Sequence, residues 1–171
     1  MNATELGAAA RHFAAVERRL FELLGGWVTS ATEPEVKVAL RVESFRHAWH
    51  ADLWTGLRGP NAMAEVAPGA AAESPAERPE LLAVLAELTG TAERLEGLYR
   101  VTLPALVEDN RRRRDEAIAD LAAGGPVARV LGLVLADHEA ALASAERLIT
   151  AAHANSYGGE LPKSVELRES H

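Results

Sequence analysis

The sequence predicts an all-α protein, a four-helix bundle with a long crossover between helices two and three. Three observations carry that prediction. Apolar residues recur at alternating spacings of three and four along four separate stretches, the stripe a helix turns toward a core. The apolar share rests on Ala, Leu and Val, with aromatics at only 5%, and windows rich in Ala, Leu, Glu and Arg lose little side-chain entropy in a helix. The connections between the stretches read short, long and short, the pattern of a bundle with one crossover.

The first helix is expected from about Thr4 to Ser30, with Leu6, Ala9, Phe13, Val16, Leu20, Leu23 and Trp27 as its core stripe. Gly25 and Gly26 interrupt its composition but not its stripe, which points to a close approach of two helices. The stretch TSATEPEV breaks the chain; Thr32 followed by Glu35 has capping-box spacing, and Pro34 suits a first helical turn. The second helix, Pro34 to Leu57, carries the stripe Val36, Leu40, Glu43, His47, His50, Trp54 and Leu57, apolar at both ends and polar in the middle.

Arg58 to Arg78 is rich in Pro, Gly and Ala without helical period, a connection of about 20 residues and longer than neighbouring helices need. At up to ~3.3 Å per extended residue it can run the length of a bundle. The third helix is expected from Pro79 to about Leu121, through Leu81, Leu85, Leu88, Ala92, Leu95 and Tyr99, with a kink at Pro104. AAGGP marks a tight turn. The fourth helix, from Val127 to about His153, has the stripe Val127, Leu131, Val134, His138, Ala141, Ala145 and Leu148. Residues 1–155 are thus expected to form the bundle and 156–171 a loose tail.

The bulk numbers narrow the function classes. A chain of 171 residues suits one domain with a real core. Its net charge of −7 argues against nucleic acid as a partner. No cysteine is present, which removes disulfides and thiolate chemistry and fits a cytoplasmic location. The N-terminus lacks the pattern of a signal peptide, and no apolar run reaches the roughly 18 residues of a membrane span.

The polar middle of helix two raises the functional question. Glu17 lies about 15 residues before the Ala31–Thr32 turn and His47 about as far after it, so an antiparallel pair sets them at one level. His138 lies about 14 residues beyond the Gly124–Gly125 turn, with Glu108, Asp109 and Asn110 about as far before it. With the crossover traversing the bundle, one layer would hold Glu17, Glu43, His47, His50, Asp109 or Glu108, and His138, with Asp137 beside it. Carboxylates and imidazoles together bind Fe, Mn or Zn, and two imidazoles with a carboxylate suit non-haem Fe(II).

A bundle with a crossover after helix two, a Glu on helix one and a Glu/His group on helix two resembles the ferritin-like superfamily of carboxylate-bridged dimetal proteins, over about Thr4 to His153. That resemblance implies Glu17 as the first glutamate and Glu43 as the second. The sequence departs from the family's Glu-x-x-His: helix two reads Glu43-Ser-Phe-Arg-His47, with His50 in addition, and helix four has no carboxylate three residues before His138. Helix three offers Glu93, Glu96, Glu108 and Asp109. The chain is also similar in size and helix count to the DinB-like metal-dependent transferases, but has Leu142 where their His-x-x-x-His would need a second histidine.

The sequence reading is therefore a small non-haem metal protein, an Fe-dependent oxidase or oxygenase acting on a small molecule, with Glu17, Glu43, His47, His50, Asp109 and His138 as ligands. Pairing into a homodimer along the long helices is expected. The competing reading is a non-catalytic bundle whose buried Glu/His network fixes helix register, or binds a small molecule or a protein partner without metal. Arg111 to Arg114 read as a solvated face.

Overall fold

Ala3 to Ser30 form one unbroken helix, α1, and only Ala31 to Glu33 separate it from α2, Pro34–Gly56. The remaining elements are α3 (Pro79–Glu87), α4 (Thr91–Glu96), a π-helical turn (Gly97–Thr102), α5 (Leu103–Ala119) and α6 (Gly125–Tyr157). The structure is a computed structural model that describes residues 3–57, 79–119 and 125–157. The expected crossover at 58–78, residues 120–124 (the end of the expected third helix and the start of the AAGGP turn) and tail residues 158–171 lie outside the described residues. Because α4, the π-turn and α5 run end to end, the described chain is five helical rods without a strand.

Three local details differ from the sequence reading. The start of α2 is set by Glu33 as its N-cap and Pro34 behind it, not by a Thr32–Glu35 box. Thr32 instead donates its backbone N–H and hydroxyl to the Glu33 carboxylate, at 3.2 and 2.9 Å. The expected third helix breaks at Leu88 to Gly90, where Gly90 is extended at φ −77 and ψ 142. Glu93 holds the break from one side by accepting the Gly90 N–H, and Arg94 from the other by donating to the Leu88 carbonyl at 2.8 Å. Arg94 also donates to Ser30 Oγ at 2.7 Å and lies over the Trp27 ring, tying this corner to the end of α1.

The third difference is at Pro104. Proline has no N–H and its ring collides with the carbonyl four residues back, here Arg100. The chain meets this by widening into the π-turn, where the Leu103 N–H reaches the Leu98 carbonyl five residues back. Gly97 opens that turn because Leu85 and Leu88 press onto it; a Cβ there would stand 2.6 Å from Leu88 Cδ1.

Contacts between rods fix their directions. Phe13 stacks on Trp54 at 4.5 Å, Glu17 meets His47, and the Ser44 hydroxyl donates to the Phe21 carbonyl at 3.0 Å, so α1 and α2 are antiparallel. Gly25 faces Ser44, whose Oγ would be 3.2 Å from an added Cβ, so one of the two glycines does permit a close approach. Arg100–Glu146 and Arg111–Glu139 set the α4–α5 rod antiparallel to α6, and Glu35–Arg147 with His50–Asp137 set α2 antiparallel to α6. The rod of α4 and α5 therefore runs in the sense of α2.

The core is divided. One apolar cluster gathers Leu20, Leu24, Trp27, Leu40, Leu95, Leu98, Leu103, Leu148 and Ile149 near the α1–α2 turn. The other gathers Phe13, Trp54, Val127, Val130, Leu131 and Val134. On α1, α2 and α6 alike, the residues between the two clusters include buried polar ones. Truncating a core aromatic costs about 3–5 kcal/mol, whereas an exposed substitution stays within about 0.5 kcal/mol. Trp54→Ala (Trp54 is 1% exposed) is therefore expected to lower the urea midpoint sharply, and Val84→Ala (62% exposed) to leave it nearly unchanged.

Candidate metal centre

The polar residues between the two clusters are Glu17 from α1, Glu43, Ser44, His47 and His50 from α2, and His138 from α6, all buried. His47 and His50, three apart, share one face of α2, and the antiparallel pairing brings Glu17 opposite both. A buried Glu17/His47/His50/His138 group can hold a metal ion: one ligand atom from each lies within 4.8 Å of every other. The three imidazole rings stand 5.5 to 5.9 Å apart, tilted or edge-on to one another, so they surround a common point without stacking.

Glu17 is the hub. Its Oε2 lies 2.6 Å from His47 Nδ1 and 3.3 Å from His50 Nδ1, and its Oε1 is 3.9 Å from His138 Nε2. Burial by itself would raise the Glu17 pKa, but the charge on His47 and the hydrogen bonds from His47 and His50 outweigh it. The carboxyl is held well below its ordinary range. An ionised carboxylate only accepts, so the protons in these bonds belong to the imidazoles.

The histidines are not equivalent. Burial opposes charge on His50, yet its hydrogen bonds to Glu17 and Asp137 prevail and raise its pKa above the ordinary value. Burial dominates at His138 and depresses its pKa to about 4, with the charges of His47 and His50 adding to the effect against the attraction of Glu17. His138 is thus a neutral ring at pH 7, with a lone pair free. Neither of its nitrogens has a hydrogen-bond partner, nor does His47 Nε2, although all three atoms are buried. A buried polar atom without a partner costs about 1–3 kcal/mol. A cation would satisfy His47 Nε2 and the lone-pair nitrogen of His138, since each imidazole offers it one ligand atom.

The remaining expected ligands are placed elsewhere. Glu43 is buried beside the cluster, but Arg46 donates to its Oε1 at 2.6 Å. Burial raises the Glu43 pKa against the opposing charges of Arg46 and His47. Asp109 pairs with Arg112 and, at 3.0 Å, with Arg113, whose guanidinium lies over Phe13. Glu108 is exposed, and Glu96 pairs with Arg100 and His153. Among the described residues no carboxylate of α4 or α5 joins the ligand group.

Asp137, which had no assigned role in the sequence reading, accepts from His50 Nε2 at 3.0 Å. Its one sequence signal was its place next to His138 at the predicted level. Tyr99, from the π-turn, is buried close enough to Glu43 and Arg46 to feel both charges; burial first and then Glu43 raise its pKa. Trp49 stands 45% exposed with its ring 5.4 Å from His50.

No known protein family, curated protein or solved structure matches this chain. The site is therefore read from its own chemistry.

That chemistry makes the metal-free protein acid-sensitive. The folded His138 resists protonation down to about pH 4, whereas the unfolded chain takes up that proton near the ordinary value of 6.5. The unfolded state binds more protons in this window, so stability falls as pH falls. The His50 contribution is already complete below pH 6.5, and Glu17 begins to matter only below its ordinary 4.5. At 1.36 kcal/mol per pH unit, His138 alone is expected to remove about 2 kcal/mol between pH 6.5 and 5, opposed by Glu43, whose raised pKa lets the folded chain take up its proton first. His138→Leu should flatten that slope in chelator-treated protein, read by urea denaturation.

Proposed function

We propose that this chain is a small non-haem metal protein in which Glu17, His47, His50 and His138 hold one divalent transition-metal ion. Iron is the first choice, Mn or Zn the alternatives, and the loaded protein oxidises a small molecule. The observation that carries this reading is His138, whose two ring nitrogens are buried, neutral at pH 7 and without partners beside a carboxylate.

Three imidazoles and one carboxylate favour a single ion over a carboxylate-bridged pair. Dimetal bundles draw a Glu from each of two helices and a Glu-x-x-His from each of the other two. Here Glu17 is the one carboxylate in the group, Glu43 being held by Arg46 and Asp109 by Arg112 and Arg113. Iron bound by imidazoles and a carboxylate supplies dioxygen chemistry. The chain's own contribution is to hold the ligands between two apolar clusters that keep bulk water away. The directions of the rods, with α2 and the α4–α5 rod running alike, support the ferritin-like arrangement, which remains part of the proposal.

Pairing of two copies along α2 is a further part. Val38, Val42, Phe45 and Trp49 are exposed on the face of α2 turned away from the site. Their spacing of four, three and four is the same read from either end. A two-fold axis would therefore set Val38 of one copy against Trp49 of the other, and Val42 against Phe45. Phe45→Glu is expected to convert a dimer to monomer in sedimentation; a wild-type chain that sediments as a monomer overturns this part.

The competing reading, a metal-free polar network, draws support from Glu17 accepting from both His47 and His50. Elemental analysis of untagged protein from iron- and manganese-supplemented medium separates the two. One metal per chain, lost in His47→Ala and in His138→Ala, is the expected result, followed by oxygen consumption of the iron form. Absence of metal after reconstitution with Fe(II), Mn(II) and Zn(II) overturns the proposal and leaves the polar network.

A further inference from the structure

His50 is the one imidazole of the group with a partner on each side. Its Nδ1 faces Glu17 Oε2 at 3.3 Å, inside the ligand group, and its Nε2 faces Asp137 Oδ2 at 3.0 Å, away from it. His50 itself is fully buried, while the Asp137 side chain is 31% exposed. Asp137 precedes His138 directly on α6, so one turn of that helix supplies both a candidate ligand and the partner of a second.

From this arrangement, and resting on the metal reading above, we propose that Asp137 is the positioning residue of the site. It fixes the proton of His50 on Nε2, turns the Nδ1 lone pair inward as the coordinating atom, and completes the charge balance for a divalent ion. Two physical arguments meet here. In the metal-free chain both His50 nitrogens face carboxylates, which can only accept, so both carry hydrogen; an ion bound beside Glu17 would take the place of the Nδ1 proton, while Asp137 keeps the one on Nε2. A divalent ion held by three neutral imidazoles and the Glu17 carboxylate keeps one net positive charge. Asp137, joined to the site through the His50 ring, supplies the missing negative charge from a position that water can still solvate, so it escapes the cost of full burial. Imidazole ligands are commonly oriented by such an outer carboxylate, whose loss lowers metal affinity about 10–100-fold.

The experiment compares Asp137→Asn and Asp137→Ala with the wild-type chain. Asn keeps an acceptor for Nε2–H but removes the charge, and Ala removes both. Zn(II) affinity is read by competition with a chelator, and 15N spectra of histidine-labelled Zn(II) protein report which His50 nitrogen binds the metal. The expected result is a wild-type spectrum with metal on Nδ1 and a retained proton on Nε2. Affinity should fall roughly 10-fold in Asn and toward 100-fold in Ala, with helical circular dichroism unchanged because the side chain is partly exposed. Unchanged affinity in Ala, or zinc on Nε2 of His50, overturns the role of Asp137 while leaving the metal site standing. A wild-type chain that binds no zinc, iron or manganese overturns both readings together, and the two failures are thereby distinct.

Discussion

Everything at the middle of this protein depends on one buried carboxylate. Glu17 is 4% exposed and ionised, and it interrupts an α1 stripe that is otherwise apolar. A charge in that position costs several kcal/mol in lost hydration, and only partners at close range offset it. His47 and His50 supply hydrogen bonds from α2, and His138 approaches from α6. Three helices are thus held at one level by a single group. Sliding α1 by a turn would carry the carboxylate away from this level and leave the histidines without it.

The two apolar clusters make up the hydrophobic core, but neither specifies that level. Leu, Ala and Val on alternating threes and fours pack acceptably in more than one register, since volume and pattern suffice for a core. The polar layer is different, because its groups are satisfied only by one another. In this protein the layer is also incomplete without something more. His47 Nε2 and both nitrogens of His138 are buried with no partner. The residual cost falls on His47 and His138, the same two rings that can each offer a cation a lone pair, so the cost of the layer and its chemistry have one origin.

How much of this was legible beforehand follows from what each kind of count measures. Counting residues from a turn gives height along a helix at 1.5 Å per residue, and that sufficed to bring Glu17, His47 and His138 to one level. It does not give the direction in which a side chain points. Glu43 and Asp109 stand near the expected height, but the arginines three or four residues further on, Arg46, Arg112 and Arg113, claim their carboxylates. Nor did the pattern show the break at Gly90, because the apolar stripe runs through it from Leu88 to Ala92. Asp137 was placed by position and left without a role, since a hydrogen bond between residues 87 apart leaves no mark in the local sequence.

The π-turn at Gly97–Thr102 has a consequence for how this protein can tolerate changes of length. Each residue of a helix advances about 100° around the axis, so gaining or losing one residue in the turn rotates all of α5 by that angle. The buried positions of α5 are Leu103, Val107, Asn110 and Ala117. One residue fewer would bring Pro104, Glu108, Arg111 and Ile118 into those slots. One residue more would bring in Thr102, Leu106, Asp109 and Glu116, and so turn toward the interior the very carboxylate that now pairs with arginines at the surface. The turn is an azimuthal dial for α5, and its present setting is what keeps that helix from giving an acidic group to the interior.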